Sequence, residues 1–276
     1  MPASGPSRLR QLQRKCCPLW RRNAVYARAN RRPSEDPPNG PSVTAADVVL
    51  RSERDAVLLK PAGLSSEAPA TNGKGPATLL VQARALLAWP EAQLPHRIDR
   101  PTRGFVVVAR DSAAVAAHNE AIRAGRWTKH YLARIAASGT PVDARALIGQ
   151  HHAYLRRDGA VARVVRSGGD PSTLVIEAIA PAPAAPGEWH AVIRLVTGRF
   201  HQIRAMLSAL GFPLVGDQEY GGTRGHMYLD HASLWFPSIV DGAMQRAWLP
   251  TDPRREPVDP SIISALASAQ PMEAQR

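Results

Sequence analysis

The segment 95–104, PHRIDRPTRG, constrains the fold more than any other part of the sequence. Proline at positions 95 and 101 and glycine at 104 exclude a continuous helix or a central strand, so the segment must form a turn. The run that follows, FVVVAR at 105–110, is apolar and β-branched, which predicts a central strand. The turn therefore places its charged residues next to the start of a buried strand.

One carboxylate, Asp99, stands in this turn among Arg97, Arg100 and Arg103. The simpler interpretation is a turn residue that pairs with a neighbouring arginine. The alternative is a reactive carboxylate, because a nearby arginine lowers a carboxyl pKa by about 1 to 3 units and keeps the group ionised and nucleophilic. The turn alone leaves both interpretations open.

Periodicity and breaker residues predict a mixed pattern of strands and helices around the turn. Strands are predicted at 47–51, 56–59, 105–110, 127–135, 160–165, 174–179 and 189–196, and helices at 77–89, 113–124 and 201–210. In the last helix an apolar stripe (Ile203, Met206, Leu207 and Leu210) should face the core. His201 and Arg204 are then expected on another part of the helix surface.

Composition divides the chain into three parts. Residues 1–46 form a basic, proline-rich tail and linker, residues 47–263 are the predicted catalytic domain, and residues 264–276 are an expected frayed tail. The net charge is +12, and residues 1–33 carry nine Lys or Arg and no Asp or Glu, which leaves +3 for the rest. The basic tail fits an arm that holds phosphates, or alternatively an organellar transit peptide.

Several classes of protein are excluded. No 18-residue apolar run predicts a membrane span, and the two cysteines, Cys16 and Cys17, are adjacent, which excludes a disulfide framework and a cysteine zinc site. His118-Asn119-Glu120 matches half of a zinc deaminase motif, but the cysteine ligands that such a site needs are missing. We therefore expect no metal and no membrane association, and a reducing, cytoplasmic location.

Five motifs, in order, resemble the signatures of the RluA-type RNA pseudouridine synthases. PHRIDRPTRG resembles H-R-L-D-x-x-T-S-G, and TGRFHQIR with the following GDQEYGG resembles T-G-R-T-H-Q-I-R and G-D-x-x-Y-G. Weaker matches are LLKPAGL at 58–64, KHYLA at 129–133 and DHASLWFP at 230–237. The resemblance covers roughly residues 47–240.

The resemblance implies a mixed α/β pseudouridine synthase fold with a central, mostly antiparallel bent sheet, flanking helices and an active cleft across the middle. It also implies isomerisation of specific uridines in RNA to pseudouridine, without a cofactor. On this interpretation Asp99 is the nucleophile, Arg204 pairs with it and holds it ionised, and Tyr131 stacks on the target uracil. A catalytically silent RNA-binding or RNA-folding protein on the same scaffold is the alternative.

The expected partner is a tRNA or rRNA stem-loop, bound by a monomer. The segment 94–135 carries eight Lys or Arg against three acidic residues, which suits a channel for the RNA backbone. The predicted RNA contacts are Arg97, Arg103, Lys129, Arg199, His201 and Lys60. Arg103 and Phe200 depart from the family signatures, which have serine and threonine there, so we expect the RNA contacts to differ near them.

Overall fold

The computed structural model describes residues 40–67, 77–139, 143–249 and 257–271. Within them lie ten strands and four α-helices. The strands are β1 (Val48–Arg51), β2 (Asp55–Lys60), β3 (Arg103–Ala109), β4 (Thr128–Ala136), β5 (Gly149–Asp158), β6 (Val161–Val165), β7 (Asp170–Pro181), β8 (Glu188–Leu195), β9 (Leu229–Pro237) and β10 (Met244–Trp248). The helices are α1 (Leu79–Leu87), α2 (Ser112–Arg123), α3 (Gln202–Ala209) and α4 (Pro260–Ser268).

All ten strands belong to one sheet in the order β1-β2-β3-β9-β4-β8-β7-β5-β6, with β10 also paired to β9. Every pairing is antiparallel except β3 with β9, which runs parallel through only two residue pairs. There Gly104 faces His231 with a φ of +128°, and a Cβ at this position would collide with the His231 backbone, so only glycine fits. The predicted mixed fold with a mostly antiparallel sheet is confirmed.

Helices cover both faces of the sheet because the inner strands are apolar on both sides. On β3, Val106 and Val108 pack towards α1, whereas Phe105 and Val107 pack with the α2 residue Ala121. At β4 and β8 the same alternation places α3 on one face and α4 on the other. The functional cleft lies on the α3 face, between the turn before β3 and the strands β4 and β8.

The structure differs from the sequence-based predictions at several places. The strands β5, β9 and β10 and the helix α4 were not predicted; in β5 the exposed positions obscure the apolar ones. Helix α4 continues to Ser268 with Leu266 buried, so the frayed tail expected from residue 264 is wrong at least for 264–268. Arg204 does not lie on the protein surface: six of the eight residues of α3 are buried, and Arg204 is one of them.

No helix among the described residues is long and apolar enough to cross a membrane. The basic tail predicted at residues 1–33 lies outside the described residues, and only residues 40–46 of the predicted linker lie within them.

Candidate active site

A cleft of about 820 Å³ opens beside the turn that carries Asp99. Its lining includes five cationic side chains against the two carboxylates of Glu67 and Asp99; the cations are Arg97, Arg123, Lys129, Arg199 and Arg204. An excess of positive charge in a concave site attracts polyanions and raises their local concentration.

The turn that presents Asp99 is fixed from behind by a buried lysine. The Lys60 ammonium donates to the carbonyls of Leu64 (2.7 Å), Pro61 (3.0 Å) and Arg100 (3.2 Å), and its side chain is fully buried. Ser66 Oγ donates to the Ile98 carbonyl at 2.8 Å. Sequence analysis predicted Lys60 as an RNA contact, and this is wrong, because Lys60 is enclosed and its donors are used by the turn backbone.

Arg204 is the centre of the polar network beneath Asp99. Its Nε and Nη2 each donate to an oxygen of Asp217 at 2.7 Å, and Nη2 also donates to Glu219 at 2.7 Å. Its Nη1 lies 3.9 Å from Asp99 Oδ2, which is an ion pair at long range. The predicted pairing of Arg204 with Asp99 is therefore present, but the bidentate partner of Arg204 is Asp217.

Burial raises the pKa of Asp99 above its usual value, and Arg204 opposes this rise. Asp217 raises the pKa further, whereas Lys60 and Arg97 lower it. The expectation that a nearby arginine lowers the pKa of Asp99 is therefore wrong in its net direction, because desolvation outweighs the nearby cations. A carboxylate in such a setting is poorly solvated, which favours its reaction as a nucleophile.

Tyr131 lies in the lining of the same cleft, on β4, where alternation places it on the same face as Lys129. Its ring stacks on His231 of β9 with centroids 4.8 Å apart and planes at 19°. Burial and the charge of Asp99 raise the pKa of Tyr131 far above its usual value. Tyr131 is therefore an un-ionised phenol at neutral pH, with one ring face fixed against His231.

The start of α3 brings His201 close to Asp99. Gln202 fixes this turn, since its Oε1 accepts from Thr197 Oγ1 at 2.8 Å and its Nε2 donates to the Thr173 carbonyl at 2.9 Å. His201 has a left-handed backbone, with φ of +50°, and its Nε2 lies 3.9 Å from Asp99 Oδ2. Burial, together with the Arg204 cation, lowers the pKa of His201 to about 4, so the imidazole is neutral at pH 7.

The remaining predicted RNA contacts divide into two groups. Arg97, Lys129 and Arg199 line the cleft, where each could reach a phosphate. Lys129 lies over the Trp127 ring at 5.3 Å, and burial lowers its pKa to about 8. Arg103 does not line the cleft and instead pairs with buried Asp230 at 3.5 Å, so its prediction as an RNA contact is contradicted.

Sequence analysis assigned no role to Asp217, to Glu219 or to His231, on which the Tyr131 ring stacks. Asp217 lies in the matched GDQEYGG motif and His231 in DHASLWFP, so the motifs held the signal. Their function could not be derived from spacing, because each acts on a residue far away in the chain. The described residues contain no group of His, Cys, Asp and Glu arranged to hold a metal ion.

Comparison with known proteins places this geometry in a family. The family model described as RNA pseudouridylate synthase matches residues 56–209, which include Asp99, Tyr131 and Arg204. Ribosomal large subunit pseudouridine synthase D of Pseudomonas aeruginosa is 30% identical over 181 residues, which cover 64% of this chain and 53% of that protein. The chain thus spans about half the length of that relative.

Two further proteins extend the comparison. The dual-specificity RNA pseudouridine synthase RluA of Salmonella typhi is 28% identical over 185 residues, covering 67% of this chain and 80% of the relative. The solved structure of human RNA pseudouridylate synthase domain containing 1 has the same fold, with a TM-score of 0.62 at 22% identity, covering 82% of this chain and 96% of that one. With more than half of its residues matched by the family model, the chain belongs to the RNA pseudouridylate synthase family, in its RluA-type branch.

Proposed function

We propose that this protein isomerises specific uridines in ribosomal or transfer RNA to pseudouridine. The observation that carries the proposal is the position of Asp99, a partly exposed carboxylate in a cationic cleft, 3.9 Å from both Arg204 and His201. The name of one relative refers to the ribosomal large subunit, which supports ribosomal RNA as a substrate, and the name of another refers to dual specificity for RNA, which supports more than one substrate RNA.

In the proposed reaction Asp99 forms a covalent bond either to ribose carbon 1′ or to the uracil ring. The bond between carbon 1′ and N1 breaks, the base turns, and a bond from carbon 1′ to carbon 5 forms. The Asp99 adduct is released, the carbon 5 proton is removed while its bonding electrons restore the ring double bond, and N1 takes up one proton, so that the net change transfers one proton from carbon 5 to N1. Atoms and electrons balance within one nucleotide, so no cofactor is required.

Arg204 and Tyr131 support this reaction in different ways. Arg204 stabilises the ionised form of Asp99 against the cost of burial. Tyr131 lines the cleft with one ring face on His231, and stacking of its other face on the uracil would contribute about 1 to 3 kcal/mol per base. That is comparable with the few kcal/mol needed to unstack a nucleotide, so stacking helps retain the flipped base.

The direct test is a carbodiimide map of pseudouridine in unmodified rRNA and tRNA after incubation with the purified protein. We expect one or a few new sites with the wild-type chain and none with Asp99→Asn. A wild-type chain that binds RNA and creates no site would contradict the proposal and favour a silent RNA-binding protein.

A second arm compares Tyr131→Phe with Tyr131→Leu. The phenylalanine retains the stacking ring, so RNA affinity should stay within about twofold of the wild type. The leucine should weaken RNA binding and reduce product formation together. Equal affinities for the two variants would show that the ring does not stack on RNA.

A further inference from the structure

Three side chains form a stacked column at the rim of the cleft, and the proposed reaction does not use it. The Phe200 ring stacks on His201 with centroids 3.8 Å apart and planes at 19°. The Arg157 guanidinium also lies over the Phe200 ring, with its Cζ 4.5 Å from the ring centroid. We call Arg157, Phe200 and His201 the rim column.

The rim column connects a distant hairpin with the catalytic carboxylate. Arg157 is exposed near the end of β5, in the hairpin with the edge strand β6. His201, at the inner end of the column, lies 3.9 Å from Asp99. The column therefore marks a path from Asp99 to the outer surface.

The outer end of the column has the properties of a base-stacking surface. Arg157 Nε donates to the Gly159 carbonyl at 3.1 Å, which restrains the guanidinium plane. Among the described residues Arg157 forms no ion pair, whereas Arg163 on the same hairpin pairs with Asp158 at 2.6 Å. A planar cation, held on one face by an aromatic ring and exposed to solvent, stacks well on an unpaired base.

We propose that the rim column binds the base of a nucleotide adjacent to the target uridine, stacked on Arg157. The inference deepens the proposed function and rests on it. Phe200 stands where the family signature has threonine, which cannot support a guanidinium by stacking. The subsite would add contact with a flanking base to the contacts with the target uridine.

The hairpin supplies a matched control for the test. Along β5, Ala153 and Leu155 are buried on the α3 face. Arg157 comes two residues after Leu155, so it lies on the same face of the strand. Arg156 is exposed on the opposite face of the strand. Arg156→Ala and Arg157→Ala therefore remove equal charge from adjacent positions, and only the second removes the stacking surface.

The experiment measures RNA binding by fluorescence anisotropy with two labelled probes. One is octauridylate, and the other is the same oligomer with abasic residues on both sides of its fourth uridine. We expect Arg157→Ala to weaken binding of octauridylate roughly 5- to 10-fold more than Arg156→Ala does. On the abasic probe the two variants should bind equally. Arg157→Lys retains the positive charge but lacks the planar guanidinium, so it should bind octauridylate about as weakly as Arg157→Ala does.

Phe200→Leu tests the support beneath Arg157 and should also reduce the preference for octauridylate over the abasic probe. Equal losses for Arg156→Ala and Arg157→Ala, wild-type binding by Arg157→Lys, or no octauridylate binding by the wild type would overturn the subsite. Pseudouridine formation by the wild type is measured in parallel. If it is absent, the proposed function fails whatever the probes show, whereas failure of the probes with intact activity removes the subsite alone.

Discussion

Arg204 binds Asp217 through two parallel hydrogen bonds of 2.7 Å, and both side chains are almost completely buried. This pairing orients the guanidinium so that Nη1 lies 3.0 Å from His201 Nε2 and 3.9 Å from Asp99 Oδ2. Bidentate geometry fixes a guanidinium more strictly than a single contact does. We infer that Asp217 is a positioning residue, acting through Arg204 on Asp99, the proposed nucleophile.

Replacing Asp217 by asparagine should be strongly destabilising. A buried guanidinium that loses its charged partner costs about 3 to 5 kcal/mol, and urea unfolding would measure the loss. Glu219→Gln is the matched control, since Glu219 binds the same guanidinium but its side chain is 55% exposed. Its cost should stay below about 1 kcal/mol. A similar loss in the free energy of unfolding for both variants would show that the buried Arg204–Asp217 pair stabilises the fold no more than the exposed Arg204–Glu219 pair does.

Asp99→Asn should abolish product formation and at the same time stabilise the fold at neutral pH. The pKa of Asp99 is higher in the folded protein than in the unfolded chain, so folding favours the protonated form. Stability contributed by the protonated carboxyl is therefore present at low pH and lost as the pH rises through the folded pKa. We expect a melting temperature raised by about 1 to 3 °C at pH 7, with no difference near pH 3. A melting temperature of Asp99→Asn below that of the wild type at pH 7 would contradict a net rise of the Asp99 pKa on folding.

RNA affinity should decline between pH 7 and 9 because of Lys129. Burial lowers the pKa of this cleft ammonium to about 8, so its positive charge is present below that pH and lost above it. Anisotropy titrations with Asp99→Asn avoid turnover and isolate binding. Lys129→Met should bind more weakly at pH 7 and show little change up to pH 9. If the variant retains the wild-type pH profile, another group causes the decline.

Lys60→Met should disrupt the turn that carries Asp99, although Lys60 does not face the cleft. The substitution removes the donors to three backbone carbonyls, and an unsatisfied buried polar group costs about 1 to 3 kcal/mol. We expect a lower free energy of unfolding and a large loss of turnover. RNA affinity should change by less than about threefold, since the cleft cations remain. Reduced affinity with normal turnover would instead indicate a direct RNA contact.

The sequence by itself identified the local elements near the site, because each depends on neighbouring residues. The helix predicted at 113–124 is α2, which Asp111 caps by accepting from the Ala114 amide at 2.8 Å, and the apolar run at 105–110 supplies most of the central strand β3. The motifs also indicated the family, which the family model confirmed. The roles of Asp99, Tyr131 and Arg204 were predicted from those motifs and stay predictions.

Tertiary structure decided which polar groups meet, since partners distant in sequence are brought together only by sheet order and helix packing. Lys60 is buried and Arg103 pairs with Asp230, although sequence analysis predicted both as RNA contacts. Arg204 forms its buried ion pair with Asp217. Tertiary structure also stacked Arg157 on Phe200, 43 positions along the chain, because β5 and the start of α3 meet at one rim of the cleft. Charge in a sequence indicates a polyanionic partner, but burial determines which charges can reach it.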